Sequence, residues 1–218
     1  GLSIGVHLLN LLAIPSLCFI YYFKKFKTTK KKNIYALLIS AAILAFIQYG
    51  IIPGIPKLAS RFELLFVNNM GMPFGSGIVF YAILLVALIV WGLWYTQKKK
   101  KINLNTAILF VTFILIGYSS YATIVIRSIA NTPLNENNPS NVFSLLSFLN
   151  REQYGDRPLI YGPYYNAPYQ RDREGRVVQV ETGPIYIKGE KKYEKVGSKT
   201  RAKYDSEYCT IFPRMYGT

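Results

Sequence analysis

Four long apolar stretches dominate the sequence, and each is long enough to cross a lipid bilayer. They cover residues 4–23, 34–53, 78–95 and 107–126. A helix of about 20 residues spans about 30 Å of hydrocarbon. Within the hydrocarbon every backbone amide must be paired inside its own segment, so each stretch is predicted to be a helix. The fold class expected is therefore an α-helical membrane protein with four transmembrane helices.

Charge divides the chain into two parts. Residues 1–127 contain 13 Lys and Arg but one acid, Glu63, whereas residues 128–218 contain 13 Lys and Arg and 10 acids. Ten basic residues of the first part lie in two runs, 24–32 and 98–101, beside apolar stretches. The positive-inside rule assigns both runs to the cytoplasm, so residue 1, residues 54–77 and everything after Arg127 are expected on the outer side.

The net charge of +15 also raises nucleic-acid binding as an alternative. That alternative leaves the apolar stretches unexplained, so no nucleic-acid partner is expected, and membrane lipid is the expected surrounding. An ion-coupled transporter is disfavoured as well, because the apolar stretches lack ionisable side chains near their middle. The sequence shows no metal-ligand spacing, and we expect neither a metal nor a cofactor.

The predicted domains are a four-helix transmembrane region, 1–127, and an extracytoplasmic polar domain, 128–218. The second is expected to be a small α+β domain, with a helix at 142–150, strands at 177–180 and 185–188, and a hairpin around Gly189 and Glu190. The chain starts without methionine and stops soon after Phe212. We therefore expect an internal fragment whose outer domain is truncated at its C-terminus.

The outer loop between the second and third stretches contains two local signals. The sequence Pro-Gly-Ile-Pro at residues 53–56 predicts a break in the chain. Ser60 and Glu63 then have the spacing of a capping box, which predicts the start of a short helix at the membrane surface. Glu63 could also act as a catalytic base, but its position in the capping box with Ser60 explains it adequately, and the capping role is expected.

Arg127 is the most suggestive polar residue, because an isolated arginine on the outer side runs against the positive-inside bias. Its guanidinium is suited to bidentate binding of a lipid phosphate. The alternative is an arginine that snorkels to ordinary headgroups. The Asn- and Pro-rich residues that follow, including Asn135, Glu136 and Asn137, are typical of a surface loop. A polar loop at the membrane surface would also suit a glycosyl group.

Five sequence segments resemble a known family. They are residues 5–15 (GVHLLNLLAIP), 135–139 (NENNP), 149–159 (LNREQYGDRPL), 161–165 (YGPYY) and 212–215 (FPRM). Together they resemble a large bacterial family of polytopic membrane proteins, glycosyltransferase family 117, which is akin to protein O-mannosyltransferases. The resemblance implies a glycosyltransferase of the GT-C type in the bacterial inner membrane, with its active site facing outward.

Such an enzyme passes a sugar from a polyprenyl-phosphate carrier to a hydroxyl of an exported protein. Its acidic motif, an Asp-Cys-Gly-Glu-like stretch, does not occur here. The catalytic acid is therefore expected upstream, and the chain is expected to be inactive alone. The resemblance implies that Arg127 contacts phosphate and that Asn135, Glu136 and Asn137 shape the substrate site. The alternative is a non-catalytic membrane protein whose outer domain binds a glycan or a protein partner.

Overall fold

The chain forms two compact units, Gly1–Asn150 and Arg151–Thr218. The computed structural model describes residues 8–133, 135, 137–155, 158 and 160–213. The first unit is helical, and the second is built mainly from short β-strands. The predicted boundary between 127 and 128 marks where the chain is expected to leave the membrane, and it stays a prediction.

Three helices in the described residues are long and apolar enough to cross a membrane, namely Lys30–Asn69, Ser76–Lys98 and Ile102–Ile129. Large apolar side chains along them are exposed, as lipid-facing side chains would be. The fold is therefore that of a multi-pass membrane protein. The predicted first span, 4–23, is not among the three, and residues 1–7 lie outside the described part. The count of four spans is not confirmed.

The described remainder of that first span is a 3-10 turn, Leu8–Leu12, followed by helix α1, Ala13–Lys25. A lysine-rich loop connects α1 to helix α2, Lys30–Ala45. The side chain of Thr29 accepts a hydrogen bond from the backbone N–H of Lys32 at 3.4 Å and so caps α2. The two helices therefore form a hairpin with a short, basic turn.

Helix α2 does not end at the predicted Pro-Gly-Ile-Pro break, and that prediction was wrong. The helix continues through a π-helical turn, Phe46–Ile51, into helix α3, Ile52–Leu64, and a second π-helical turn, Leu65–Asn69. Pro53 is the second residue of α3 and directly follows the junction with the first π-helical turn. Pro56 lies inside α3, and a hydrogen bond from another helix, described below, replaces the one that it cannot donate.

The predicted capping box was also wrong, because Ser60 lies inside α3 and donates its hydroxyl to a carbonyl one turn earlier. Glu63 is fully buried, and its carboxylate accepts hydrogen bonds from the backbone N–H groups of Gly75, at 2.6 Å, and Ile78, at 3.2 Å. Helix α4, Ser76–Lys98, begins at this point. Glu63 therefore caps the next helix, where a negative charge is favourable.

A second lysine-rich loop connects α4 to helix α5, Ile102–Tyr118. The Asn105 amide donates a hydrogen bond to the Thr96 hydroxyl at 2.8 Å, and that hydroxyl donates to the Gly92 carbonyl at 2.8 Å. These polar contacts join the end of α4 to the start of α5 beside the lysine-rich loop. After a short turn, helix α6 covers Tyr121–Ile129.

The predicted helix at 142–150 is confirmed as helix α7, Val142–Leu149, which Asn141 caps with hydrogen bonds to two backbone N–H groups. Helix α7 packs against α3. The main core of the first unit joins residues from the N-terminal turn, α1, the first π-helical turn, α3, α5, α6 and α7, and it contains Leu11, Ile14, Ile47, Ile52, Ile114, Tyr118, Tyr121 and Leu149.

The second unit contains two small antiparallel sheets among its described residues. Strand β1, Tyr161–Pro163, pairs with β4, Cys209–Ile211. Strands β2, Gln179–Lys188, and β3, Tyr193–Ala202, form a hairpin with register shifts at two points. This hairpin confirms the turn predicted at Gly189, although both strands are longer than expected. The described part of this unit contains no α-helix, so the predicted helix of the α+β domain belongs instead to the first unit.

Candidate functional site

Arg127 lies in the last turn of α6, and its side chain is exposed. Tyr121 and Ser128 lie seven residues apart on the buried face of the same helix. Arg127 stands outside that buried stripe, so α6 is amphipathic at its C-terminal end. A cation in this position is favoured by the helix dipole. Within the described residues, none of the ion pairs involves Arg127, which leaves its guanidinium open to an anionic group.

The loop after α6 is fixed to the helix through Ser128, which is 5% exposed. The Ser128 hydroxyl lies 2.8 Å from Oδ1 of Asn135 and 3.0 Å from Oδ1 of Asn138. The Asn135 amide nitrogen donates to the Ser128 carbonyl at 3.3 Å and to Oδ1 of Asn138 at 3.3 Å. Asn135 therefore uses both ends of its amide within the loop and fixes the loop next to Arg127.

Asn137 is exposed and has a left-handed backbone conformation, with φ of 60°. Asparagine adopts this conformation more readily than most residues, which explains its position at the tip of the loop. Glu136, which the sequence analysis placed in the site, lies outside the described residues. The structure thus brings Asn135 beside the end of α6, and the roles of all four predicted residues in binding stay predictions.

The sequence analysis missed Ser128 and Asn138, which complete this polar cluster. The usable signal was a serine in the last turn of an amphipathic helix, followed by four asparagines within ten residues. The pairing itself depends on how the loop folds back, which spacing alone does not reveal. The arrangement places an exposed guanidinium near the hydrogen-bonded amides of Asn135 and Asn138, and such groups are suited to binding a phosphate and neighbouring hydroxyl groups.

Acidic residues with free carboxylates are scarce in the described part of the first unit. Its one described acid, Glu63, is buried and engaged in capping α4. The described residues of the whole chain contain no group of three or more His, Cys, Asp or Glu that could hold a metal ion.

Charged residues of the second unit pair locally. Lys199 contacts Glu152 at 2.6 Å, and Asp172 accepts hydrogen bonds from the backbone N–H groups of Glu174 and Arg176, both at 2.9 Å. The bond from the Arg176 backbone is the main cause that lowers the pKa of Asp172 below its usual 3.8. The Asp172 contacts fix a turn, and the Lys199–Glu152 pair joins β3 to the 3-10 turn Glu152–Tyr154.

Tyrosines are the other conspicuous side chains of the second unit. Tyr169 and Tyr204 lie with ring centroids 4.8 Å apart. Their hydrogen bond is the main cause that raises the pKa of Tyr204, with burial adding to it. A further set is exposed at the surface of this unit: Tyr154, Tyr161, Tyr164, Tyr165 and Tyr208.

The fold defines the class as a multi-pass membrane protein with a small sheet region after its helices. Comparison with protein families gives two partial matches. Residues 1–30 match the N-terminal domain of the protein O-mannosyl-transferase TMEM260. Residues 155–218 match a family of unknown function, DUF8416. No curated protein and no solved structure matches the chain significantly.

Proposed function

We propose that this chain is part of a membrane glycosyltransferase that moves a sugar from a polyprenyl-phosphate donor to a hydroxyl of an exported protein. The observation that carries the proposal is the match of residues 1–30 to the N-terminal domain of a protein O-mannosyl-transferase. The multi-pass helical fold is compatible with an enzyme whose donor is a membrane lipid. The catalytic acid lies upstream of residue 1 in this proposal.

The proposed membrane arrangement has four spans, with the first formed by the turn at Leu8–Leu12 and helix α1. The two lysine-rich loops face the cytoplasm, following the positive-inside rule. Arg127 and the loop around Asn135 then face outward, at the end of the last span. This sidedness, the GT-C architecture and the location in a bacterial inner membrane rest on the charge pattern and on the family resemblance.

Arg127 has the central role in the proposed site. Transfer of the sugar leaves negative charge on the carrier phosphate, and a guanidinium is suited to stabilising it through two parallel hydrogen bonds. The exposed position of Arg127 in the last turn of α6 supports this role. Asn135, Glu136 and Asn137 shape the site for the donor sugar or the protein acceptor, and Ser128 fixes Asn135 in place.

The test is sugar transfer by the full-length gene product in membranes, with a radiolabelled polyprenyl-phosphate sugar and an extract of exported proteins. Arg127→Glu is expected to abolish transfer while membrane insertion is retained. Arg61→Glu is the matched control, because Arg61 is an exposed arginine in α3 and is expected to leave transfer unchanged. Transfer by Arg127→Glu at the wild-type rate would contradict the proposed role.

A second candidate function is a non-catalytic membrane protein whose outer domain binds a glycan or a protein partner. The exposed tyrosines of the second unit favour it, because aromatic rings stack on sugars and anchor protein interfaces. The two functions differ in one result. Absence of transfer across a panel of lipid-linked donors, by a correctly inserted full-length protein, would favour binding over catalysis.

A further inference from the structure

A groove of about 470 Å³ lies between helices α1, α2 and α5, well within the range of ligand pockets. Its walls are almost wholly apolar, and the side chains that line it include Ile14, Leu17, Cys18, Ile39, Ile43 and Phe110. All three helices belong to the first unit. A groove of this composition favours a hydrocarbon chain.

One end of the groove is formed by aromatic side chains beside the lysine-rich loop. Tyr21, Tyr22 and Phe26 line this end. The ammonium group of Lys25 donates a hydrogen bond to the Tyr21 hydroxyl at 2.9 Å and lies 5.4 Å from the centre of its ring. The Tyr22 hydroxyl donates to Asn33 at 3.0 Å, which fixes the turn. A positive charge is therefore held at the groove entrance.

Six lysines with exposed side chains lie within nine residues at this entrance: Lys24, Lys25, Lys27, Lys30, Lys31 and Lys32. None of them takes part in an ion pair among the described residues. Glu63, the one described acid of the first unit, is buried at the start of α4. The charge of the lysine cluster is therefore left for groups outside the protein to neutralise.

The groove and the lysine cluster together indicate what binds there. An apolar channel that ends in aromatic side chains and a basic cluster matches an anionic lipid, with its chain inside and its phosphate at the lysines. A zwitterionic lipid would match the groove but not the charge. The carrier lipid of the proposed transferase is a poorer match, because Arg127 lies at the end of Ile102–Ile129 opposite the second lysine loop.

We propose that this groove binds an anionic glycerophospholipid, with one acyl chain between α1, α2 and α5 and the headgroup phosphate at Lys25 and Lys30. The lipid fills the space between the helices and neutralises the basic loop. This binding does not require sugar transfer, so the site can be tested whether or not the chain belongs to a transferase.

The test measures binding of phosphatidylglycerol and phosphatidylcholine to the purified full-length gene product, by native mass spectrometry in a lipid-free detergent. Phosphatidylglycerol is expected to bind more tightly. The double variant Lys25→Gln/Lys30→Gln should weaken it about 25-fold, which is about fivefold for each lysine. The matched control is Lys99→Gln/Lys100→Gln in the loop between α4 and α5. It should leave binding within about twofold, because that loop contributes no side chain to the groove, whereas Lys25 is hydrogen-bonded to the groove residue Tyr21 and Lys30 begins α2.

The apolar part of the site is tested by Ala36→Phe, because Ala36 is half-buried and lines the groove. The larger side chain should fill the groove and reduce binding of phosphatidylglycerol. Leu37→Phe is its control, since Leu37 is 54% exposed and does not line the groove. If Ala36→Phe does not fold, the composition of the lipids that copurify with the wild-type protein tests the proposal instead. Anionic glycerophospholipids are expected to be enriched among them over the membrane average.

Four results would overturn the proposal. The first is that phosphatidylcholine binds as tightly as phosphatidylglycerol. The second is that the folded Ala36→Phe variant binds phosphatidylglycerol like the wild type. The third is that the two lysine double variants weaken phosphatidylglycerol binding equally. Displacement of phosphatidylglycerol by undecaprenyl phosphate at equal concentration would also overturn it, because the groove would then belong to the carrier. All these measurements are independent of sugar transfer. Failure of the lipid site can therefore be distinguished from failure of the proposed transferase function.

Discussion

The phenolic hydroxyl of Tyr118 donates a hydrogen bond to the backbone carbonyl of Ile52 at 2.9 Å. Pro56, four residues after Ile52, has no N–H to donate to that carbonyl. A proline inside a membrane helix is tolerated where a neighbouring helix satisfies the freed carbonyl. Tyr118, at the end of α5, supplies this hydrogen bond and allows the helix to continue past Pro56.

Removing this hydroxyl should destabilise the first unit. A buried unsatisfied carbonyl costs about 1–3 kcal/mol, while hydrogen bonds in membranes average about 0.6 kcal/mol, so we expect Tyr118→Phe to lose about 1 kcal/mol. The measurement is unfolding in mixed detergent micelles, followed by circular dichroism. Tyr49→Phe is the control, because the Tyr49 side chain is 69% exposed, and it should leave the unfolding midpoint unchanged.

A double-mutant cycle tests the cause. Pro56→Ala restores a backbone N–H that can donate to the Ile52 carbonyl, so Tyr118→Phe should cost less in that background than in the wild type. Equal costs in the two backgrounds would show that the hydroxyl does not compensate for Pro56.

Gly77 allows α4 to approach α3 closely. A Cβ atom at this position would collide with the carbonyl oxygen of Phe62 and would lie 2.5 Å from Cα of Glu63. Both atoms belong to the backbone and cannot move alone, so Gly77→Ala should destabilise the unit by about 1–3 kcal/mol. Gly54 is the matched control, since a Cβ there meets nothing within 4 Å. Gly54→Ala lies inside a helix and should be neutral or stabilising by up to about 1 kcal/mol.

Glu63 holds the start of α4 by accepting hydrogen bonds from Gly75 and Ile78. Glu63→Gln keeps one acceptor oxygen but removes the charge, so we expect a loss of about 1 kcal/mol, and a larger loss for Glu63→Ala. Hydrogen exchange at the amides of Gly75 and Ile78 is the direct measurement, and it should accelerate in both variants. If these two amides exchange as slowly in the variants as in the wild type, the Glu63 cap is not what protects them from exchange.

The sequence predicts the local features of this fold well. The apolar stretches at 34–53, 78–95 and 107–126 all lie in membrane-length helices, and the lysine-rich loops and the hairpin at Gly189 are where expected. These features depend on neighbouring residues. The break expected at residues 53–56 does not occur at Pro56, because the Ile52 carbonyl that this proline leaves free finds a partner 66 residues away.

Partners that are distant in sequence also explain why the sequence did not reveal the role of Glu63 or the contacts of the candidate site. The partners of Glu63 lie 12 and 15 residues later, at the start of the next helix. Asn135 was predicted as a binding residue from its place in a polar loop, and its contacts with Ser128 depend on how that loop folds back. Local patterns predict elements, whereas caps and loop anchors depend on tertiary contacts.

Asp172 gives the second unit a pH-dependent turn. Hydrogen bonds to the carboxylate, first of all from the Arg176 backbone, lower the pKa of Asp172 below 3.8. A lowered pKa means that the contribution to stability is present above 3.8 and is lost as pH falls through the folded value. The amide resonances of Glu174 and Arg176 should therefore titrate with a midpoint below pH 3.8. Asp172→Asn should remove this transition, and a transition that persists would assign it to another group.

Asn135 and Asn137 separate a structural role from a binding role in the candidate site. Asn135 is hydrogen-bonded to Ser128, so Asn135→Ala should loosen the loop and lower stability by about 1 kcal/mol. Asn137 is exposed with φ of 60°, which glycine adopts freely, so Asn137→Gly should leave stability unchanged within about 0.5 kcal/mol.

The two asparagine variants then differ in what a change in activity means. In the full-length protein, reduced sugar transfer by Asn137→Gly, at unchanged thermal stability, would identify that side chain as a contact to donor or acceptor. Transfer at the wild-type rate would limit Asn137 to forming the turn. A loss of transfer in Asn135→Ala that follows its loss of stability would place Asn135 among the residues that position the loop beside Arg127.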